Sequence, residues 1–124
     1  MNRRSFGLFG LLTLGLVASS SVADAQRVDR DFTVVNHTGD TITHLYVSPS
    51  NQTAWGPDQL GSGVIANNAS HHLLFRPTNY RGQCVFDVRV TIDGHNNDVH
   101  GVNLCTLTSI TFNGEDGHIS YTAR

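Results

Sequence analysis

Seven histidines give this chain its most obvious capacity for chemistry, because imidazole binds transition metals and titrates near neutral pH. They are His37, His44, His71, His72, His95, His100 and His118. The sequence has neither His-x-His nor HExxH, and the adjacent His71 and His72 point to opposite faces of a predicted strand. Only His95 and His100, which flank a predicted turn and strand start, form a candidate metal pair. Solvated or hydrogen-bonded histidines are the favoured interpretation.

The stretch SPSNQTAWGPDQLGSG, residues 48–63, contains the only tryptophan of the chain. Turn-forming residues on both sides of Trp55 predict a long loop. Two interpretations stay open for the indole. It closes the open end of a small core, which we favour because exposed large aromatics are disfavoured, or it is a platform for a sugar or a peptide. In the second case the polar partners are Asp58, Asn51 and Gln52.

Catalytic motifs are absent from the sequence. It has no GxSxG nucleophile elbow and no glycine-rich phosphate loop, and the paired carboxylates of a glycosidase cannot be located. Asp87 and Arg89 lie two residues apart, so their side chains share one face of a strand. An ion pair or cross-strand ladder is the favoured interpretation, and a polar anchor in a cleft is the alternative. No cofactor is implied.

The N-terminal residues predict export. Arg3 and Arg4 precede an uncharged apolar run, residues 6–18, and a small-x-small cleavage site ends at Ala25. This is the pattern of a signal peptide over residues 1–25, too short for a membrane span. The paired arginines also resemble the twin-arginine export motif, and the general secretion route is the alternative. We expect a periplasmic or secreted bacterial protein that begins at Gln26.

Composition limits the partners of the remaining domain, residues 26–124. The chain has 8 arginines and lysines against 10 acidic residues, and none of the 8 is a lysine. Nucleic acids and anionic lipid surfaces attract basic patches, and the sequence contains no basic cluster. We therefore expect no nucleic-acid partner and no stable membrane insertion once the signal peptide is removed.

Short runs of Val, Ile, Thr and Phe, punctuated by Gly and Asn, predict an all-β domain. In the clearest run, CVFDVRVTI (residues 84–92), apolar residues occupy every second position, as in a strand with one buried face. Further predicted strands cover residues 31–36, 41–47, 63–65, 70–75, 99–107 and 109–113, with a tight turn at residues 37–40. About seven short strands indicate a small antiparallel β-sandwich.

Two cysteines predict a structural disulfide, because exported proteins meet an oxidising compartment. If residues 84–92 pair with residues 97–105 about a turn centred between Gly94 and His95, Cys84 falls directly opposite Cys105. A directly opposed, non-hydrogen-bonded pair is close enough for a disulfide.

The segments FTVVNHTGDTITHLYVSPS, WGPDQLG, CVFDVRV and VNLC resemble a group of small exported proteobacterial proteins without an assigned activity. The resemblance covers nearly all of residues 32–112. It implies an exported β domain and transfers no catalytic residue. We therefore expect a non-enzymatic binding or envelope-interaction domain whose partner is a small molecule, a glycan or an envelope protein. A periplasmic metal-binding protein and a small hydrolase with an unrecognised site are the alternatives.

Overall fold

The computed structural model of the protein describes residues 29–77, 79–80 and 82–124, and these residues form seven strands and no helix. The strands are β1 (Phe32–His37), β2 (Ile42–Pro49), β3 (Ser70–Leu73), β4 (Val85–Ile92), β5 (His95–Asn103), β6 (Ser109–Glu115) and β7 (His118–Ala123). One sheet has the order β3-β1-β6-β7 and the other the order β2-β4-β5. All pairs are antiparallel except β1 and β6. The predicted fold class, a small β-sandwich, is confirmed.

The core lies between the two sheets and follows from alternation along the strands. In β4, Phe86, Val88 and Val90 are fully buried, while the residues between them point outward. In the same sheet, β2 adds the fully buried Ile42 and Leu45, and β1 and β6 of the other sheet contribute the facing layer, Phe32, Val34 and Ile110. Strands with apolar residues at every second position bury one face each, and the other face of each sheet stays available for polar chemistry.

Strands β1 and β2 do not form the hairpin that the tight turn at residues 37–40 predicted, because they belong to different sheets. A buried asparagine holds the corner between them. The Asn36 amide group donates to the carbonyl oxygens of Asp40 (2.8 Å) and Ile65 (2.9 Å). Its side-chain oxygen accepts the backbone N–H (3.0 Å) and the hydroxyl (2.7 Å) of Thr38. All the hydrogen-bonding groups of this side chain are therefore used to turn the chain from one sheet to the other.

The β4–β5 hairpin forms with a different turn from the predicted one. Ile92 pairs with His95, so the turn is Asp93–Gly94. Both turn residues have positive φ, 50° and 75°, which is the requirement of a type I′ hairpin turn. The expected turn centre lay one residue further along the chain.

The predicted disulfide between Cys84 and Cys105 is confirmed, with Cα atoms 5.3 Å apart. The two cysteines are not directly opposed, since the Leu104 N–H donates to the Cys84 carbonyl oxygen (2.8 Å). A bulge in β5 at His100 and Gly101 shifts the register by one residue. The bond therefore closes the open end of the hairpin just beyond its last paired residues.

Removal of the disulfide is expected to destabilise the domain without changing its fold. The bond closes a loop over a separation of 21 residues, for which chain entropy gives about 3 kcal/mol. We expect Cys84→Ser with Cys105→Ser to lower the free energy of unfolding by about that amount in urea titrations, with an unchanged far-ultraviolet circular dichroism spectrum. A double variant as stable as the oxidised wild type contradicts this expectation.

The strand prediction contains two errors. One predicted strand is absent and one observed strand was not predicted, so the total of seven is unchanged. Residues 63–65 form no strand, and only an isolated bridge joins Ile65 to Ile42. Strand β7 was missed, although residues 116 and 117 form a turn with positive φ at both positions. Asp116 and Gly117 close the β6–β7 hairpin, in which Glu115 pairs with His118.

Within the described ranges, no helix is long and apolar enough to cross a membrane. The predicted signal peptide, residues 1–25, lies outside the described residues, and so does the expected start of the exported chain at Gln26.

Candidate functional site

The outer face of the three-stranded sheet carries a row of polar and aromatic side chains. Tyr46 in β2 pairs with Arg89 in β4, and Arg89 pairs with Asp98 in β5. Trp55, from the long loop after β2, lies over the guanidinium of Arg89, with the Arg89 Cζ atom 4.6 Å from the ring centroid. We call Tyr46, Trp55, Arg89 and Asp98 the Trp55 face.

Arg89 holds the Trp55 face together. Its Nε and Nη2 atoms donate to the two carboxylate oxygens of Asp98 at 2.7 and 2.8 Å, a bidentate pair. The hydrogen bonds from Arg89 are the main cause that lowers the pKa of Asp98, against the opposing effect of burial, and the same pairing raises the pKa of Arg89. Because the guanidinium also covers one face of the indole, it fixes Trp55 against the sheet.

The loop around Trp55 folds back along β2 rather than over the end of the core. The Ser48 hydroxyl donates to the Ala54 carbonyl oxygen (2.8 Å), and the Gln59 N–H donates to the Leu45 carbonyl oxygen (2.7 Å). Trp55 is consequently half-buried and lies outside the buried core. The expectation of a core plug was wrong, because these backbone contacts direct the loop onto the outer face of the sheet.

Asp58 joins the loop to β2 through hydrogen bonds. It accepts hydrogen bonds from the Leu45 and Leu60 N–H groups, both at 3.0 Å, and lies 2.7 Å from the Nδ1 atom of His44. Burial raises the pKa of Asp58, but these hydrogen bonds together outweigh burial and lower it. The His44 ring in turn stacks on Tyr46, with ring centroids 6.1 Å apart. Asp58 therefore stabilises the position of Tyr46 in the Trp55 face through His44.

Asn51 and Gln52, the other two predicted ligand residues, are exposed at the start of the loop. Asn51 accepts a hydrogen bond from the Gln83 side chain (3.3 Å), and the Gln52 N–H donates to the Pro49 carbonyl oxygen (3.1 Å). These bonds direct both residues toward the disulfide end of the hairpin. The structure thus brings Trp55 and Asp58 to one surface, while the hydrogen bonds recorded for Asn51 and Gln52 are to Gln83 and Pro49.

Asp87 organises the other end of the outer face. It accepts hydrogen bonds from the Ser50 hydroxyl (2.6 Å) and the Gly101 N–H (2.9 Å), and it lies 3.1 Å from Nδ1 of His100. Burial raises the pKa of Asp87, and these three partners together lower it below its ordinary value. Asp87 and Arg89 therefore each bind across to β5, in agreement with the predicted cross-strand ladder.

The candidate metal pair is not brought together. His95 begins β5 and His100 lies at its bulge. Five residues of extended strand separate them by roughly 16 Å. Within the described part of the chain, no group of three or more His, Cys, Asp or Glu side chains could hold a metal ion.

The chemistry of the outer face is that of fixed hydrogen-bond acceptors. Asp58, Asp87 and Asp98 all have pKa values below their ordinary value and are ionised at neutral pH. A general acid needs a raised pKa instead. These three carboxylates therefore orient their neighbours and accept hydrogen bonds, and none of them is suited to donate a proton.

Acid is expected to weaken the domain through these carboxylates. Each has a lower pKa in the folded than in the unfolded chain, so its stabilising contribution is complete above about pH 5 and is lost as the pH falls through and below about 4. We expect the urea midpoint of wild type to fall between pH 7 and pH 3, and that of Asp98→Asn to fall less. Asn51→Ala provides the control, since this exposed residue carries no titratable group and its loss should keep the wild-type pH dependence. An Asp98→Asn profile parallel to wild type contradicts this assignment.

Sequence reasoning did not identify Tyr46 or Asp98 as site residues. Alternation places both on outward faces, but only the cross-strand register shows that they flank Arg89. The sequence feature that could have indicated the site is an aromatic residue, Tyr46, and two opposite charges, Arg89 and Asp98, at outward positions of three adjacent strands.

Comparison with known proteins gives no family model that matches the chain, and no curated protein or solved structure that is similar to it.

Proposed function

We propose that this protein is an exported, non-enzymatic binding domain that takes a neutral saccharide on the Trp55 face. The observation that carries the proposal is the row Tyr46–Arg89–Asp98 with Trp55 above it. These four side chains come from three strands and one loop that is hydrogen-bonded to β2. A ligand therefore meets a surface that is already ordered.

The residue types of the Trp55 face suit a sugar ring. The electron-rich faces of Tyr46 and Trp55, whose ring centroids lie 6.5 Å apart, attract the polarised C–H groups of a pyranose. The bidentate Arg89–Asp98 pair offers donors and acceptors side by side, as adjacent sugar hydroxyls require. Apolar rings with a few fixed polar groups are the usual composition of a small-ligand site.

The charge of the surface also favours a neutral ligand. Arg89 and Asp98 compensate each other, while Asp58 and Asp87 on either side carry negative charge. An anionic ligand meets two carboxylates. A cationic ligand finds one face of the indole already occupied by the Arg89 guanidinium.

Export is the second part of the proposal. The Cys84–Cys105 disulfide and the predicted signal peptide support it, because disulfides persist in oxidising compartments such as the periplasm. Polysaccharides of the cell envelope are the saccharides that such a protein encounters.

Binding can be followed through Trp55, the only tryptophan of the chain. We expect tetra-N-acetylglucosamine, a soluble and uncharged probe, to change the fluorescence of Trp55 in a saturable titration. Stacking on an aromatic ring contributes about 0.5–1.5 kcal/mol, so Tyr46→Ser should weaken binding about two- to tenfold.

The matched control is Leu74→Ser, which removes an exposed apolar side chain next to β3 of the other sheet and should leave the affinity unchanged. Equal losses in the two variants contradict a site at the Trp55 face. Unchanged fluorescence and unchanged amide chemical shifts at about 10 mM probe, roughly the weak limit for a specific saccharide complex, overturn the proposal.

A further inference from the structure

Strand β7 presents an unpaired backbone edge. Arg124 and Ser109 exchange two backbone hydrogen bonds, of 2.9 and 3.0 Å. Hydrogen-bonded and non-hydrogen-bonded residues alternate along an antiparallel ladder. The backbone groups of Ile119, Tyr121 and Ala123 therefore point away from β6, and within the described residues no strand pairs with them.

The other three edges of the sandwich are short, covered or bent. Strand β3 has only four residues. Along β2, the loop binds the backbone of Leu45 on both its N–H and its carbonyl group. Strand β5 has the bulge at Gly101, whose φ is 70°. Short length, coverage and bulges are the devices that prevent edge pairing, and β7 has none of them.

The side chains of β7 also lack a covering layer. Tyr121 pairs with the buried Phe112 and so shares its inward-facing side, yet Tyr121 is 49% exposed. One sheet has four strands and the other three, so no strand lies over β7 beside β5. An open cleft of about 350 Å³ occupies this position, with Val102, Leu107 and Tyr121 in its lining.

We propose that β7 pairs with β7 of a second copy of this chain in a symmetric, antiparallel dimer. The three residues with free backbone groups, Ile119, Tyr121 and Ala123, are centred on Tyr121. A twofold axis there pairs Tyr121 with Tyr121 of the second copy and Ile119 with Ala123, and all six free N–H and carbonyl pairs are used. Residues 119–123, which pair with one another in the two copies, include no Asp, Glu, Lys, Arg or His, so these residues bring no like charges together.

In this pairing, each side chain of β7 faces a side chain of similar polarity on the second copy. Its inward side chains are apolar or aromatic and its outward side chains, His118, Ser120 and Thr122, are polar. Ser120 then lies opposite Thr122 of the second copy, a pairing of hydroxyl side chains that is favourable across strands. The two four-stranded sheets become one continuous sheet of eight strands, and both Tyr121 rings enter the joined cleft.

The symmetry has a functional consequence, which rests on the proposed saccharide site. Both three-stranded sheets lie on the same side of the joined sheet, so both Trp55 faces point in the same direction. A polymer with repeated units can then engage two sites at once, which multiplies the apparent affinity. Self-association of the protein can be measured without any saccharide.

Self-association is measured by sedimentation equilibrium between about 10 µM and 1 mM, because one pair of six-residue strands buries less than the roughly 1,200 Å² of a stable complex. We expect the weight-average mass of wild type to rise toward twice the monomer mass. Tyr121→Lys should remain monomeric, because it places a charge in the joined cleft. The control Val64→Lys changes another exposed apolar residue, away from β7, and should dimerise like wild type.

Cross-linking tests the register. In the proposed pairing Ser120 faces Thr122 of the second copy at a non-hydrogen-bonded position, where Cα atoms lie about 4.5 Å apart. A mixture of Ser120→Cys and Thr122→Cys proteins, oxidised with glutathione disulfide, should give a cross-linked heterodimer, and each variant alone should give at least severalfold less. Wild type that stays monomeric at the highest concentration, or a mixture that cross-links no better than the single variants, overturns the proposal.

Discussion

Asn36→Ala is expected to lower the free energy of unfolding by about 4 kcal/mol, because it removes a fully buried hydrogen-bonding hub. The substitution leaves the carbonyl oxygens of Asp40 and Ile65 without their amide donor, and it leaves the Thr38 N–H without its acceptor. Each of the four hydrogen bonds that Asn36 makes contributes about 0.5–1.5 kcal/mol. The Asp40 and Ile65 carbonyl oxygens keep a second donor, the Thr38 hydroxyl and the Ile42 N–H, so the Thr38 N–H is the group that loses its acceptor. Urea denaturation, followed by circular dichroism, measures the loss.

The control for this prediction is Asn51→Ala. Asn51 is exposed and makes one long side-chain hydrogen bond, of 3.3 Å, to Gln83. Its removal should change the free energy of unfolding by less than about 0.5 kcal/mol, as for ordinary surface substitutions. If the two variants are equally stable, Asn36 is not the hub of the corner.

The hydrophobic period was enough to predict the sandwich. In β4, apolar side chains at every second position predicted one buried face, and Phe86, Val88 and Val90 are all fully buried. The disulfide was also predictable, since Cys84 and Cys105 bracket a hairpin with a strong turn signal. The turn lies one residue earlier than expected, and the one-residue bulge at Gly101 shifts the register back toward Cys105. Cys84 therefore lies opposite Leu104, and a disulfide still spans the distance to Cys105.

The division of strands between the two sheets was not predictable from local pattern. Residues 37–40 have the composition of a hairpin turn, yet the chain there crosses from one sheet to the other. The difference lies in Asn36, whose side chain bonds to Ile65, 29 residues away. A contact of that sequence separation leaves no periodic signal in the sequence.

The contacts within the Trp55 face were likewise not predictable from local sequence pattern. Composition indicated a loop with an aromatic residue and an acid, and both Trp55 and Asp58 lie at one surface. Arg89 pairs with Asp98, nine residues away, rather than with the nearer Asp87. The pairing of Arg89 with Asp98 depends on the register of the β4–β5 hairpin, and the sequence analysis predicted a turn one residue further along the chain.

Several polar and cysteine residues of this chain have structural roles. Asn36 and Thr38 form the corner, Asp58 caps the loop, and the Cys84–Cys105 bond closes the hairpin. Tyr46, Trp55 and Arg89 contact one another and also form the proposed binding surface, so a substitution there must be measured for both stability and binding.

Gly114→Ala is expected to destabilise the domain by about 3 kcal/mol or more, the upper range for overpacking. Gly114 in β6 lies against the same corner as Asn36. A Cβ atom at this position would overlap the Thr38 carbonyl oxygen and lie 2.9 Å from the Thr38 carbonyl carbon. Backbone atoms cannot rotate away as a flexible side chain can, and the hydrogen bonds of Thr38 to Asn36 hold this backbone in place.

The matched control for Gly114→Ala is Gly56→Ala. A Cβ atom at Gly56 would lie 3.5 Å from the Val47 carbonyl oxygen, an ordinary contact, so this variant should remain within about 1 kcal/mol of wild type. Both free energies come from urea titrations at pH 7. Because Gly114 and Asn36 act on one corner, the double variant Asn36→Ala with Gly114→Ala should lose less than the sum of the single losses, since the corner that resists the added methyl group is already loosened. Strict additivity, or a Gly114→Ala variant as stable as Gly56→Ala, would show that the corner is not rigid.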